Sequence, residues 1–111
     1  MDVINLKRLM QFSGDKGLLD TMEKRGRVKK DLLKTRCFNL MLVCLERGQE
    51  IPSRPEPYDV CFYVVEGSGT FTVGNDKADL SAGEMVFAPA NVSRGIKCKE
   101  RMVVLGVQEP H

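Results

Sequence analysis

From residue 32 onward, turn-forming residues interrupt the chain so often that strands fit between them and helices of ordinary length do not. Apolar runs at 37–45, 60–65, 70–73, 85–88 and 102–107 are separated by Gly48, the prolines at 52, 55 and 57, Gly67 and Gly69, Gly74-Asn75-Asp76, and Gly83. Strands repeating about every eight to twelve residues indicate an all-β sandwich or barrel rather than βαβ units. Residues 37–45, Cys-Phe-Asn-Leu-Met-Leu-Val-Cys-Leu, are apolar at nearly every position, so both faces of that strand need cover. Pro52, Pro55 and Pro57 each lack a ladder donor and confine their segment to an extended edge or a loop. Glu66-Gly67-Ser68-Gly69 reads as a tight reversal between strands at 60–65 and 70–73, because glycine tolerates the positive φ of such turns. Gly74-Asn75-Asp76 is a second hairpin signal, and Asp79-Leu80, 85–88, 93–99 and 102–107 complete the strand set.

The first thirty residues carry a weaker pattern. Val3-Ile4-Asn5-Leu6 reads as a short strand, followed by a helical turn over 6–12 that closes at Ser13-Gly14-Asp15. Residues 16–30 can be read as a helix or an irregular strand, with strand preferred. The 111 residues suit one domain, 1–111, with a β body of about 30–108 and an N-terminal extension of 1–29. No apolar run reaches the roughly 18 residues of a membrane span. Asp2 and Asn5 stand where a secretory signal needs a basic start and an apolar run, so a cytoplasmic location is expected.

Net charge is +2, too small to imply a nucleic-acid partner. Seven basic residues, Lys24, Arg25, Arg27, Lys29, Lys30, Lys34 and Arg36, do cluster around Asp31, but no aromatic residue is interleaved for base stacking. A solvated edge strand guarded by charge explains them. The cysteines at 37, 44, 61 and 98 form no CxxC pair and have no neighbouring histidine, which argues against a zinc module. Cys37 and Cys44 on one strand would lie roughly 23 Å apart, beyond disulfide reach. Buried thiols in a reducing compartment are expected.

Two stretches go further than pattern. Residues 48–67, beginning Gly48-Gln49-Glu50-Ile51-Pro52-Ser53-Arg54-Pro55-Glu56-Pro57-Tyr58-Asp59-Val60, and residues 83–94, Gly83-Glu84-Met85-Val86-Phe87-Ala88-Pro89-Ala90-Asn91-Val92-Ser93-Arg94, resemble in their glycines, proline and spacing the two motifs of the cupin family. The resemblance implies a double-stranded β-helix, or jelly-roll barrel, over about 30–108. In that family two histidines and a glutamate of the first motif and a histidine of the second hold a metal. By spacing those four positions fall on Arg54, Glu56, Val60 and Arg94. A guanidinium has no lone pair to donate and valine has no donor atom, so no metal and no cofactor are expected. Re-ligation through Glu56, Cys98 and Cys61 or Asp59 is the alternative.

Arg54 and Glu56, two residues apart, share a face with Pro55 opposite. If the charged Lys97, Lys99 and Arg101 face water, then Arg94, Ile96 and Cys98 face inward. Two arginines and one carboxylate then stand at the mouth of an apolar cavity. They admit two readings: Arg54 and Arg94 clamp the acid group of a small metabolite, with Glu56 fixing one guanidinium, or Glu56 bridges the arginines into a near-neutral plug. Tyr58 and Asp59 flank the rim, and Cys98, four residues after Arg94, is expected to have a stabilised thiolate. The candidate ligand-binding residues are therefore Arg54, Glu56, Tyr58, Arg94 and Cys98. No catalytic residue is assigned: the single histidine, His111, sits in a Pro-His segment expected to fray. Phe62, Phe71, Met85 and Phe87 read as core or pocket wall.

The functional expectation is a metal-free, small-molecule-binding protein, with an anionic metabolite as ligand, acting as a sensor or accessory subunit. The competing readings are a cupin-type enzyme (a dioxygenase, isomerase or epimerase on a sugar or organic acid) and a structural barrel that binds only protein. No nucleic acid and no membrane are expected as partners. The resemblance implies a homodimer that buries apolar outer sheet faces, and the doubly apolar strand at 37–45 is compatible with it.

Overall fold

A computed structural model describes residues 1–12 and 28–111. One short helix, α1 (Leu6–Leu9), precedes seven strands: β1 (Val28–Lys34), β2 (Asn39–Leu45), β3 (Glu50–Arg54), β4 (Val60–Val73), β5 (Asp76–Ser81), β6 (Met85–Ala88) and β7 (Arg94–Gln108). All pairings are antiparallel, and the fold is an all-β double-stranded β-helix. Two long strands build it. The first half of β4 pairs with the last part of β7, flanked by β6 on one side and by β2 and β1 on the other. Their other halves pair between β3 and β5. Both strands thus belong to two sheets, with the main core between them.

That continuity corrects the sequence reading at Gly67 and Gly69. No reversal occurs there; β4 runs straight through, with register shifts against β7 between Val64 and Glu66, Glu66 and Ser68, and Ser68 and Gly69. Extra residues in one strand bend it, which carries β4 from one sheet to the other. Gly67 has φ of 76°, and a side chain on it would collide with the Arg101 carbonyl. Positive φ is shared by hairpins and bulges, so the need for glycine is legible at this position and its role is not. Likewise the separate strands expected at 93–99 and 102–107 are one strand, β7.

Met41, Val43, Leu45, Val60, Phe62, Val64, Phe71, Ile96, Met102 and Val104 fill the space between the sheets. The alternate residues of β2, Leu42 and Cys44, join Val28, Val103 and Phe12 in a second cluster outside, against which Leu6, Leu9 and Met10 pack. Both faces of β2 are therefore covered within one chain, the outer one partly by its own N-terminal segment. Arg101 completes that cover with its guanidinium 3.6 Å from the Phe12 ring centroid.

Other local expectations change for similar reasons. Val3-Ile4-Asn5-Leu6 is not a strand, because the Asn5 side chain accepts the Arg8 amide at 3.2 Å and starts α1. Cys37 lies outside β2, in a turn where the Thr35 hydroxyl accepts the amides of Cys37 and Phe38. It is exposed rather than buried; Cys44 and Cys98 are buried, Cys61 is half-buried, and none is in a disulfide. Met85 and Phe87 face outward instead of lining the core. The strand preferred for 16–30 is present at 28–30, and the rest of that span lies outside the described residues. No helix among the described residues is long and apolar enough to cross a membrane.

Candidate functional site

A cavity of about 70 Å³ opens between the sheets. Its inner walls are Met41, Ile51, Val60 and Phe62; its polar lining is Lys29, Arg54, Glu56, Tyr58, Arg94 and Gln108. Four of the five ligand-binding candidates, Arg54, Glu56, Tyr58 and Arg94, come together here, and Val60 forms part of the wall.

The two arginines stand opposite each other in the β3–β7 ladder. Arg94 is 6% exposed. Its Nε donates to the Val92 carbonyl at 2.9 Å, Nη1 to Tyr58 at 3.0 Å and Nη2 to Pro89 at 2.6 Å. The loop before β7 supplies two of these acceptors because Asn91 adopts a φ of 68° and its amide donates to the Glu56 carbonyl at 2.7 Å. Asp59 fastens the same corner: its carboxylate accepts the Ala90 amide at 2.7 Å, and its own amide donates to Glu109 Oε1 at 2.6 Å. Arg94 has no carboxylate partner among the described residues.

Arg54, in contrast, pairs with Glu56 (Nε to Oε1, 2.6 Å), its side chain 69% exposed and that of Glu56 23%. Glu56 thus pairs with one arginine, not two. The Tyr58 hydroxyl is held above its ordinary pKa, mainly by burial and then by the Glu56 charge, against smaller opposing effects of Arg94 and Arg54. Arg94 lies 5.5 Å from the Tyr58 ring centroid.

Cys98 is not at this site. It is buried in the core four residues along β7, roughly 13 Å from Arg94. Its thiol points at the carbonyls of Leu45 (3.5 Å) and Glu100 (3.3 Å). Burial raises the thiol pKa and Glu46 adds to the rise, so the thiolate stabilisation expected from Arg94 is corrected.

Three residues at or beside the site do not stand out in the sequence. Lys29 lines the cavity because it is paired with the core residue Val43, while its neighbour Val28 turns to the outer cluster. Alternation around Val28 is the available signal. Gln108, buried, pairs in register with Val60, the inward parity of β7. His111 does not fray: its ring stacks on Tyr58 with centroids 3.8 Å apart and 8° between planes, and its Nδ1 lies 2.9 Å from the Glu109 carbonyl oxygen. Nothing local in the sequence announces that contact.

The residues present do not fit the metal that this barrel holds elsewhere. Of the four equivalent positions only Glu56 offers a donor atom, and Arg54 already engages it. Among the described residues no three His, Cys, Asp or Glu side chains gather into a ligand set. Three cations, Lys29, Arg54 and Arg94, face one carboxylate, a charge balance that repels a divalent cation.

Comparison with known proteins bears on family and fold. Residues 41–107 match the cupin domain family. An uncharacterized protein of Streptomyces coelicolor is 30% identical over 61 residues, which are 55% of this chain and 58% of that protein; the chain spans under two thirds of the curated relative it matches. Among solved structures, TT1209 of Thermus thermophilus superposes with a TM-score of 0.83 at 24% identity, covering 99% of this chain and 98% of that one. A Klebsiella pneumoniae protein described by its double-stranded β-helix domain gives 0.79 at 18% identity over 99% and 90%. KdgF from a Halomonas species gives 0.74 at 24% identity over 78% and 80%. At these identities the solved structures establish the fold alone. With the domain match covering more than half of its length, this chain belongs to the cupin family.

Proposed function

We propose that this cupin binds a small organic anion in the cavity between its sheets, as a metal-free sensor or accessory protein rather than an enzyme. One observation carries the reading: Arg94 is buried with three neutral carbonyls and no carboxylate within ion-pair distance among the described residues, the nearby Glu56 being paired with Arg54. Carbonyl dipoles take three of its five N–H groups but leave a full positive charge in a medium of low dielectric. A bound anion would lower that electrostatic energy. With its Nε, Nη1 and Nη2 each turned to a carbonyl, Arg94 contributes its field and its two remaining Nη–H groups, and Lys29 and the outer edge of Arg54 make the exposed contacts. The plug reading is weaker, because the Glu56 carboxylate reaches Arg54 only and leaves the cavity open.

The test is a ¹⁵N chemical-shift titration with acetate at constant ionic strength. Saturable shifts at the Arg54 Nε–H and at the amides of Lys29, Val60 and Gln108 support the reading. Linear drifts equal to those with chloride would overturn it.

The partner best supported by the outer surface is a second copy of the chain. Leu33, Leu40, Val107, Cys61 and Phe87 are successive cross-strand neighbours over five strands, and Leu105, Tyr63 and Met85 adjoin them, Leu42 beside Leu105 being already covered by the N-terminal segment. Met85 is 59% exposed and Phe87 55%, on an uncharged strip about 19 Å wide. β7 lies at its centre, so a two-fold axis through β7 would match the strip to itself. Sedimentation should give a dimer that Phe87→Glu dissociates; a monomer at tens of micromolar would refute it. Two of the four thiols lie in apolar core, which suits the reducing cytoplasm.

A further inference from the structure

We infer that the ligand is a short-chain aliphatic carboxylate, bound tail inward with its acid group at the mouth. The inference rests on the anion-binding reading above and adds the chemical class and the orientation.

Donors and walls are segregated in this cavity. Met41, Ile51, Val60 and Phe62 present hydrocarbon, ring and thioether surface only. Arg94 is the buried cation of the lining, and its Nε, Nη1 and Nη2 are all turned to loop carbonyls at 2.6 to 3.0 Å. The exposed cations, Lys29 and Arg54, keep most of their N–H groups for a ligand, whereas Arg94 keeps only the second N–H of each Nη. An anionic head pushed against the inner walls would lose its hydration without replacement hydrogen bonds. Held between Lys29 and Arg54 it keeps charge-assisted bonds and part of its water.

Size sets the tail. A cavity of about 150 Å³ lined by apolar side chains holds benzene, with its six carbons. The 70 Å³ here therefore encloses about three or four heavy atoms. Three or four carbons beyond a carboxyl group give butyrate or valerate. Inorganic phosphate and sulfate carry polar oxygens in every direction, so the apolar walls leave some of them unsatisfied. Polyhydroxylated acids fail for the same reason. Each methylene moved from water onto the walls tightens binding about fourfold.

Calorimetric titrations at constant ionic strength, with formate, acetate, propionate, butyrate, valerate, hexanoate and inorganic phosphate, decide the matter. The dissociation constant should fall about fourfold per carbon from acetate and level off at four or five carbons, with phosphate weaker than butyrate. Acetate binding with no dependence on chain length, or phosphate as tight as butyrate, overturns the orientation and leaves an anion site standing. No binding by any carboxylate overturns both readings. Val60→Phe, folded as judged by cooperative thermal unfolding, should lose the gain from longer chains, so that acetate and valerate no longer differ. An unchanged series in that variant refutes the tail site, and the wild-type series decides alone if the variant does not fold.

Discussion

Arg54 and Arg94 are register partners across the β3–β7 ladder, yet they hold their charge in opposite ways. Arg54 lies mostly in solvent with its Nε on Glu56, whereas Arg94 is buried against carbonyls of Tyr58, Pro89 and Val92. Two residues of one type on the same ladder rung divide the work: one fastens the loops around the cavity, the other stands in solvent at its mouth.

Arg94→Leu removes three donors and leaves three loop carbonyls without them. Unsatisfied buried acceptors cost roughly 1–3 kcal/mol each, partly relieved by water, so about 3–5 kcal/mol of stability should go. Urea unfolding measures it. Arg94→Lys should recover only part, because an ammonium lacks the planar fork that reaches three separated carbonyls. A loss under about 1 kcal/mol for the leucine variant would show that the loops hold themselves.

Glu56→Gln should behave differently. Arg54 is largely solvated, so its ion pair contributes under about 1 kcal/mol and unfolding should scarcely change. Anion affinity should rise several-fold, since the one carboxylate at the mouth is neutralised. Weaker binding instead would mean that Glu56 positions the Arg54 guanidinium for the ligand.

Gly67→Ala and Gly48→Ala both place a side chain at positive φ, 76° and 85°. Around Gly48 there is open space, so the cost should be the backbone term alone, about 1 kcal/mol. At Gly67 the methyl meets the Arg101 and Glu100 carbonyls, and β4 and β7 must separate. Thermal unfolding should show a far greater loss for Gly67→Ala. Equal losses would refute the close-approach account of the bend.

Thiol chemistry tests the burial of Cys98. Cys37 is exposed and should react with an aromatic disulfide reagent at once, while Cys98 should wait for opening of the fold. Its folded pKa is raised, so its neutral form favours the native state. That stability is present below the ordinary thiol pKa and lost as pH rises through the folded value. Cys98→Val should remove its share of the alkaline decline. Tyr58, also raised, contributes its share higher, above pH of about 10. Rapid labelling of Cys98 in the native protein would contradict the placement.

Strand parity is legible in the sequence where charge marks one face. Lys97, Lys99 and Arg101 are exposed and Arg94, Ile96 and Cys98 are buried, as alternation demands. Parity says nothing about depth along a strand, which is why it groups Cys98 with Arg94 although the thiol lies in a different part of the core. Gly67 shows a similar gap: φ is local, but whether a chain reverses or bends depends on a strand some thirty-five residues away. Lys29 sits in a basic run in which Lys34 and Arg36 are exposed, and only its pairing with Val43 turns it to the cavity. The stack of His111 on Tyr58 joins residues far apart in sequence and leaves no local trace.

The central claim is that cations at the metal-ligand positions have turned a metal site into an anion site. Elemental analysis of untagged protein, expressed with added iron, manganese, nickel and zinc and then dialysed, tests it most directly. The account predicts far less than one metal ion per chain for every element. One tightly held ion per chain would contradict it, because Glu56 would then have to leave Arg54 and find partner ligands that the described residues do not gather around it.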